Sequence, residues 1–206
     1  VEPTPWYKIA APVAFVVGLA VVCAVKNLPR FRAMLLGIGL LSGYAAIQDQ
    51  VSARLCPEYF THYHNPIPGL TDPTLTGIVW GFLGAWWGGA LFGYFVGIAA
   101  TAGKRPPLSL RELVKPMLVT VLGVAGVTAL VGGSVAFYAE QFGVTLDPYM
   151  APSVPVERRR GLLVVCCYHL AAYVSAVIGS VICCVWVAWI RRTPAARPAG
   201  GEVHRF

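Results

Sequence analysis

The chain reads as an all-α polytopic membrane helix bundle with about five transmembrane helices, and three observations predict it. Hydrophobic residues fill 57% of the 206 positions and charged residues only 12%, against roughly 25% charged in a soluble domain. The apolar residues gather into five runs, of which the third, fourth and fifth exceed the roughly 20 residues needed to cross a hydrocarbon core. Basic residues collect at the ends of those runs. A soluble domain of this length has too little interior to hide five such helices.

The first run, Ile9 to Val25, stands behind Trp6, Tyr7 and Lys8. No small-residue cleavage site precedes Lys26, Pro29 and Arg30, so it reads as a retained span rather than a signal peptide. The second runs from Ala33 to Ile47, with a polar extension to Leu55. The third, Pro73 to Ala102, opens on Asp72 as a side-chain acceptor at the N-cap and Pro73 at the first helical position. The fourth, Leu113 to Ala139, follows the stiff Lys104-Arg105-Pro106-Pro107 link and a capping box of Ser109 with Glu112. Asp147 to Pro155 carries three prolines and reads as a loop, and the fifth run is Gly161 to Ile190. Residues 1–192 are thus the bundle, and 193–206, rich in Pro, Ala and Gly, read as a disordered cytoplasmic tail.

The net charge of +7 is no nucleic-acid footprint, because its residues sit at span ends. Lys26, Arg30 and Arg32 fall in the first link, Lys104, Arg105, Arg111 and Lys115 in the third, and Arg191, Arg192, Arg197 and Arg205 in the tail. With five spans these share one side, which the positive-inside rule makes cytoplasmic. The N-terminus is then outside and the C-terminus inside, with the bacterial inner membrane as the expected location. Arg158, Arg159 and Arg160 dissent: either four spans are correct, or those arginines meet an acidic partner outside. Membrane lipid is the expected partner, with a homo-oligomer or a membrane-complex subunit as the protein partner.

Of six cysteines, Cys166-Cys167 and Cys183-Cys184 are adjacent pairs inside a span and Cys23 lies in another, where cysteine behaves as a small apolar residue. Cys56 lies near the outer boundary, where a bridge to Cys166 or Cys167 needs an oxidising compartment. Trp6, Tyr7, Trp80, Trp186 and Trp189 suit headgroup-level anchors, and Trp86 and Trp87, in mid-span, suit packing gaps. The third run carries Gly77, Gly81, Gly84, Gly88, Gly89, Gly93 and Gly97, a small-residue pattern that brings helix backbones close in lipid. Internal packing is the favoured use of this stripe, with a homodimer face as the alternative.

Chemistry concentrates between Gln48 and Asp72. Tyr44, Gln48, Ser52 and Cys56 follow i, i+4 spacing with Asp49 adjacent, a polar stripe that must face the bundle. Cys166, His169, Tyr173, Ala176 and Ser180 form a second stripe, with His169 roughly 12 Å into the helix from Gly161 at 1.5 Å per residue. An ionisable group at that depth invites a functional reading, although a histidine bonded to a tyrosine or a carbonyl serves structure alone. Cys56 to His64 suggests a short surface helix opened by Pro57, on which Glu58 and His62 share a face and His64 can join, a donor set suited to a divalent metal ion. As an interfacial aromatic segment its histidines would be incidental. Asp49, Arg54, Glu140 and His169 are the candidate ligand contacts beneath it. The outer acids and arginines can instead form an ion-paired plug with no further role. No hydrolase, P-loop or dinucleotide fingerprint is present, so no catalytic residue is assigned.

The run Ser52 to Thr61, with Pro57-Glu58-Tyr59-Phe60-Thr61 and then Asp72-Pro73-Thr74, resembles a segment after the second span of uncharacterised bacterial multi-pass membrane proteins. The resemblance covers about 30 residues and implies a bacterial membrane protein with Glu58 and Tyr59 in its signature, and no activity. The leading expectation is an accessory or binding protein whose extracytoplasmic pocket takes a metal ion or small polar ligand. The alternative is a membrane-embedded metal- or histidine-dependent enzyme acting on a lipid-like substrate, which a cavity open sideways to lipid and reaching His169 would favour. A transporter ranks third, because the cytoplasmic halves of the spans are nearly free of ionisable groups.

Overall fold

The computed structural model describes residues 4–26 and 28–192; the tail expected at 193–206 lies outside them. Its helices are α1 (Trp6–Val25), α2 (Pro29–Leu55), α3 (Glu58–His62), α4 (Pro73–Thr101), α5 (Leu110–Gln141) and α6 (Val156–Arg192). All but α3 are long and apolar enough to cross a membrane, and no strand occurs among the described residues. The five-span, all-α bundle is therefore as expected; α2, α5 and α6 extend beyond both ends of their apolar runs, α1 begins three residues before its run, and α4 ends one residue short of Ala102.

Local sequence signals set the helix starts. The Asp72 side chain accepts from the Leu75 amide at 2.8 Å, and Pro73 occupies the first turn of α4. Ser109 and Glu112 form a reciprocal capping box at the head of α5. The short helix opened by Pro57 is present as α3. All six cysteines are free thiols, Cys56 among them.

The glycine stripe of α4 divides into two uses. A Cβ on Gly89 would lie 2.6 Å from the Gly37 carbonyl oxygen of α2, and one on Gly77 would lie 2.9 Å from the Asp49 carbonyl oxygen. Gly81, Gly93 and Gly97 likewise meet α2 backbone, so α2 and α4 form the closest helix pair, held by the dispersion contacts that small residues permit in lipid. Gly84 and Gly88 meet nothing within 4 Å. They face a cavity instead.

Two packed clusters bracket the bundle. At the α3 end, Cys56, Val154, Leu162, Val165 and Tyr168 are buried together. Toward the opposite end, Ala33, Phe92, Val96, Leu113, Met117 and Val187 form the larger core. Gly161 sets the register between α2 and α6: a Cβ there would lie 2.6 Å from the Leu55 carbonyl oxygen. At the far end Arg191 donates to the carbonyls of Ala99, Ala102, Arg105 and Pro106, which ties the end of α6 to the α4–α5 link. Trp86 packs on Phe15 of α1 with ring centroids 5.4 Å apart, the expected gap-filling role. Trp87 does not share it, being half-exposed on the cavity rim.

Candidate functional site

Six residues before the end of α2, roughly 9 Å below Leu55 at 1.5 Å per residue, Asp49 is buried. Its Oδ1 lies 3.1 Å from His169 Nε2 and accepts from Ser52 Oγ at 2.9 Å. Ser52 Oγ in turn lies 2.6 Å from the Tyr168 hydroxyl. His169 Nδ1 lies 2.9 Å from the Val165 carbonyl. Since a carbonyl only accepts, Nδ1 carries a hydrogen and the ring is fixed in place. Asp49 and Ser52 of the α2 stripe thus meet His169 and the neighbouring Tyr168 of α6, whereas Cys166 and Tyr173 of the expected α6 stripe are exposed.

Ser52, His169 and Asp49 do not make a nucleophilic triad. The carboxylate, not the imidazole, is the central member, and the Ser52 hydroxyl is fully buried behind it. What the arrangement can do is bind a polar group at Asp49 and hold or pass a proton. Both bonds to the carboxylate fall on Oδ1, which leaves Oδ2 for an occupant of the adjoining space.

That space is a cavity of about 660 Å³ bordered by α2, α4 and α6, with Gln48, Asp49, Trp80 and His169 at its polar end. Its walls run past Gly84, Gly88 and Ala176 to Phe95 and Val181 and are otherwise apolar. Trp87, Leu91 and Phe95 on one rim and Tyr173, Val177 and Val181 on the other are each more than half exposed. Trp87 lies 14 residues into α4, so the mouth opens midway along the helix, between exposed apolar side chains. The volume falls within the roughly 300–1,000 Å³ typical of small-molecule sites.

α3 and its flanks cover the polar end. Tyr59 packs at a tilt against His169 with centroids 4.8 Å apart and edge-on against His64 at 4.8 Å, and His64 meets Trp80 at 4.7 Å. Glu58 pairs with Arg158 at 2.7 Å, so one of the three dissenting arginines has the acidic partner that five spans demand. Burial raises the Tyr59 hydroxyl well above its ordinary range, with Tyr173 and Asp49 adding to the effect.

The expected metal ligands are not brought together. Glu58 is taken by Arg158, His64 Nδ1 bonds the Tyr59 carbonyl at 2.9 Å, and His62 is exposed beside Thr61. Among the described residues no group of three or more His, Cys, Asp or Glu could hold a metal ion. The physical reason is competition: each donor already has a partner nearer than a shared centre. Of the four ligand contacts expected beneath α3, Asp49 and His169 border the cavity. Arg54 instead bonds Gln50 and Thr74, tying α2 to α4, and Glu140 is exposed in the last turn of α5. Sequence reasoning missed the structural role of Tyr168 and the covering role of Trp80. It also counted Gly84 and Gly88 as packing residues, although their i, i+4 spacing puts them on one face.

Fold and site together define a polytopic helical membrane protein with a buried acid–imidazole pair at the head of an apolar cavity. No protein-family model, no curated protein and no solved structure matches the chain.

Proposed function

We propose that the protein takes a single lipid-like amphiphile from the bilayer, seating its chain in the flank cavity and its head against Asp49 and His169. One observation carries this reading: the cavity mouth lies at mid-span among half-exposed Trp87, Leu91, Val177 and Val181, and its inner end reaches a buried ionisable pair. A water-soluble ligand would have no reason to enter between lipid-facing side chains. The run of basic residues at the opposite end of the bundle supports an orientation with the α3 end outside the cytoplasm, and the Ser52 to Thr61 resemblance supports a bacterial inner membrane.

A second reading adds chemistry on the same amphiphile. The contact between Asp49 and His169 holds a proton, and a pair that shares a proton can act as general acid or base toward the bound head. Binding alone is tested by native mass spectrometry of the protein released from lipid nanodiscs. The wild type retains one amphiphile per chain, and the Gly84→Leu, Gly88→Leu double variant, which fills the cavity, does not. Equal retention by both proteins sinks the reading.

A further inference from the structure

We infer that the head of the bound amphiphile is an uncharged hydroxyl, making the ligand a long-chain alcohol in chemical class; this rests on the reading of the cavity as an amphiphile site. The first step is a proton count. His169 Nδ1 must carry a hydrogen to meet the Val165 carbonyl at 2.9 Å. The 3.1 Å contact between Nε2 and Asp49 Oδ1 needs a second, held as imidazolium with carboxylate or as imidazole with carboxylic acid. In either form the pair carries no net charge, and Oδ2 is an acceptor.

The second step is what surrounds the pair. Among the described residues no lysine or arginine lines the cavity; Arg54 is bonded to Gln50 and Thr74, and Arg158 to Glu58. A phosphate or carboxylate head would sit beside the Asp49 carboxyl with no cation to balance it, in surroundings where an unpaired charge is strongly penalised. An ammonium head would bring an unbalanced charge into a neutral site. A hydroxyl brings one donor and one acceptor and no charge. Asp49 Oδ2 takes its hydrogen. The acceptor end is met by Gln48: the Tyr44 hydroxyl donates to Gln48 Oε1, which orients the amide so that Nε2 is the group left to donate. The chain then lies along α4 from Trp80 to Phe95, a length of about 22 Å at 1.5 Å per residue, as a single long alkyl or isoprenyl tail would.

The test uses the full chain in nanodiscs of zwitterionic lipid and three photoreactive probes with the same diazirine-bearing hexadecyl chain, ending in hydroxyl, phosphate or ammonium. Crosslinks are mapped by mass spectrometry and normalised to the probe in the bilayer. The expected result is labelling of Leu91 and Val177 by the alcohol at least about tenfold above either charged probe, a difference of about 1.4 kcal/mol. Gln48→Leu, which removes a donor to the hydroxyl, should narrow that preference, and Asp49→Asn should narrow it as well. Labelling by the phosphate or amine equal to that by the alcohol, or a preference untouched in Gln48→Leu, overturns the hydroxyl assignment and leaves the amphiphile site standing. Failure of all three probes to label above the cavity-filled Gly84→Leu, Gly88→Leu variant overturns both.

Discussion

Asp49 and His169, 120 residues apart in the chain, meet at 3.1 Å inside the bundle, and the helices that carry them are registered by glycines. Gly77 lets α4 reach the Asp49 carbonyl and Gly161 lets α6 reach the Leu55 carbonyl. The polar pair is therefore a consequence of backbone approach, and its geometry should fail when either the pair or the glycines are altered.

Removing one partner leaves the other buried without its counterpart. His169→Ala should destabilise the bundle by about 3 kcal/mol, read as the loss in unfolding free energy in detergent micelles. Asp49→Leu combined with His169→Leu should cost less than the sum of the two single changes. Additive losses would mean that the two side chains are not energetically coupled.

Glycine replacements in α4 should separate by position. Gly89→Val places a Cβ against the Gly37 carbonyl and should cost at least about 3 kcal/mol, with loss of monodisperse protein on size exclusion. Gly84→Ala meets open space and should leave unfolding unchanged to within about 0.5 kcal/mol. The reverse order of sensitivity would contradict the α2–α4 packing.

Arg158→Ala should loosen α3. Arg158 is half-exposed while Glu58 is largely covered, so the loss in global stability is limited to about 1 kcal/mol. The sharper readout is hydrogen exchange, which should speed up in residues 58–62. Exchanging the charges, Glu58→Arg with Arg158→Glu, should slow it again, and no change in the single variant would deny the link between α3 and α6.

Cys56 makes stability fall in alkali. Burial first, and then the neighbouring Glu58 carboxylate, raise its thiol from the ordinary 9.0 to about 11. Because the folded protein holds this proton more tightly than the unfolded chain, the contribution is complete below about pH 9 and is lost as pH climbs through about 11. Cys56→Ala should flatten the loss of unfolding free energy over that window, and an identical profile in the variant would remove Cys56 as its source. The buried thiol should also resist maleimide at pH 8 in the folded protein.

Features governed by neighbours in the chain were legible in the sequence. Apolar run length gave five spans, Asp72 with Pro73 and Ser109 with Glu112 marked two helix starts, and i, i+4 spacing placed Tyr44 with Gln48 and His169 with Tyr173 on common faces. Each depends on helix geometry alone, which is the same wherever the helix packs. The Glu58, His62 and His64 grouping failed for the opposite reason: spacing allows three donors to converge but says nothing of Arg158, one hundred residues later, which claims the first of them.

The sequence by itself determined a helical chain in lipid, with polar groups on inward faces, because a hydrocarbon solvent leaves a backbone few alternatives to the helix. Only the tertiary structure decided that Asp49 pairs with His169 and that a cavity opens to the flank beside them. A pair across helices depends on their relative depth, fixed here by where glycine permits contact. A cavity is a place where side chains are missing, and the absence at Gly84 and Gly88 acquires a shape only once α2 and α6 stand around it.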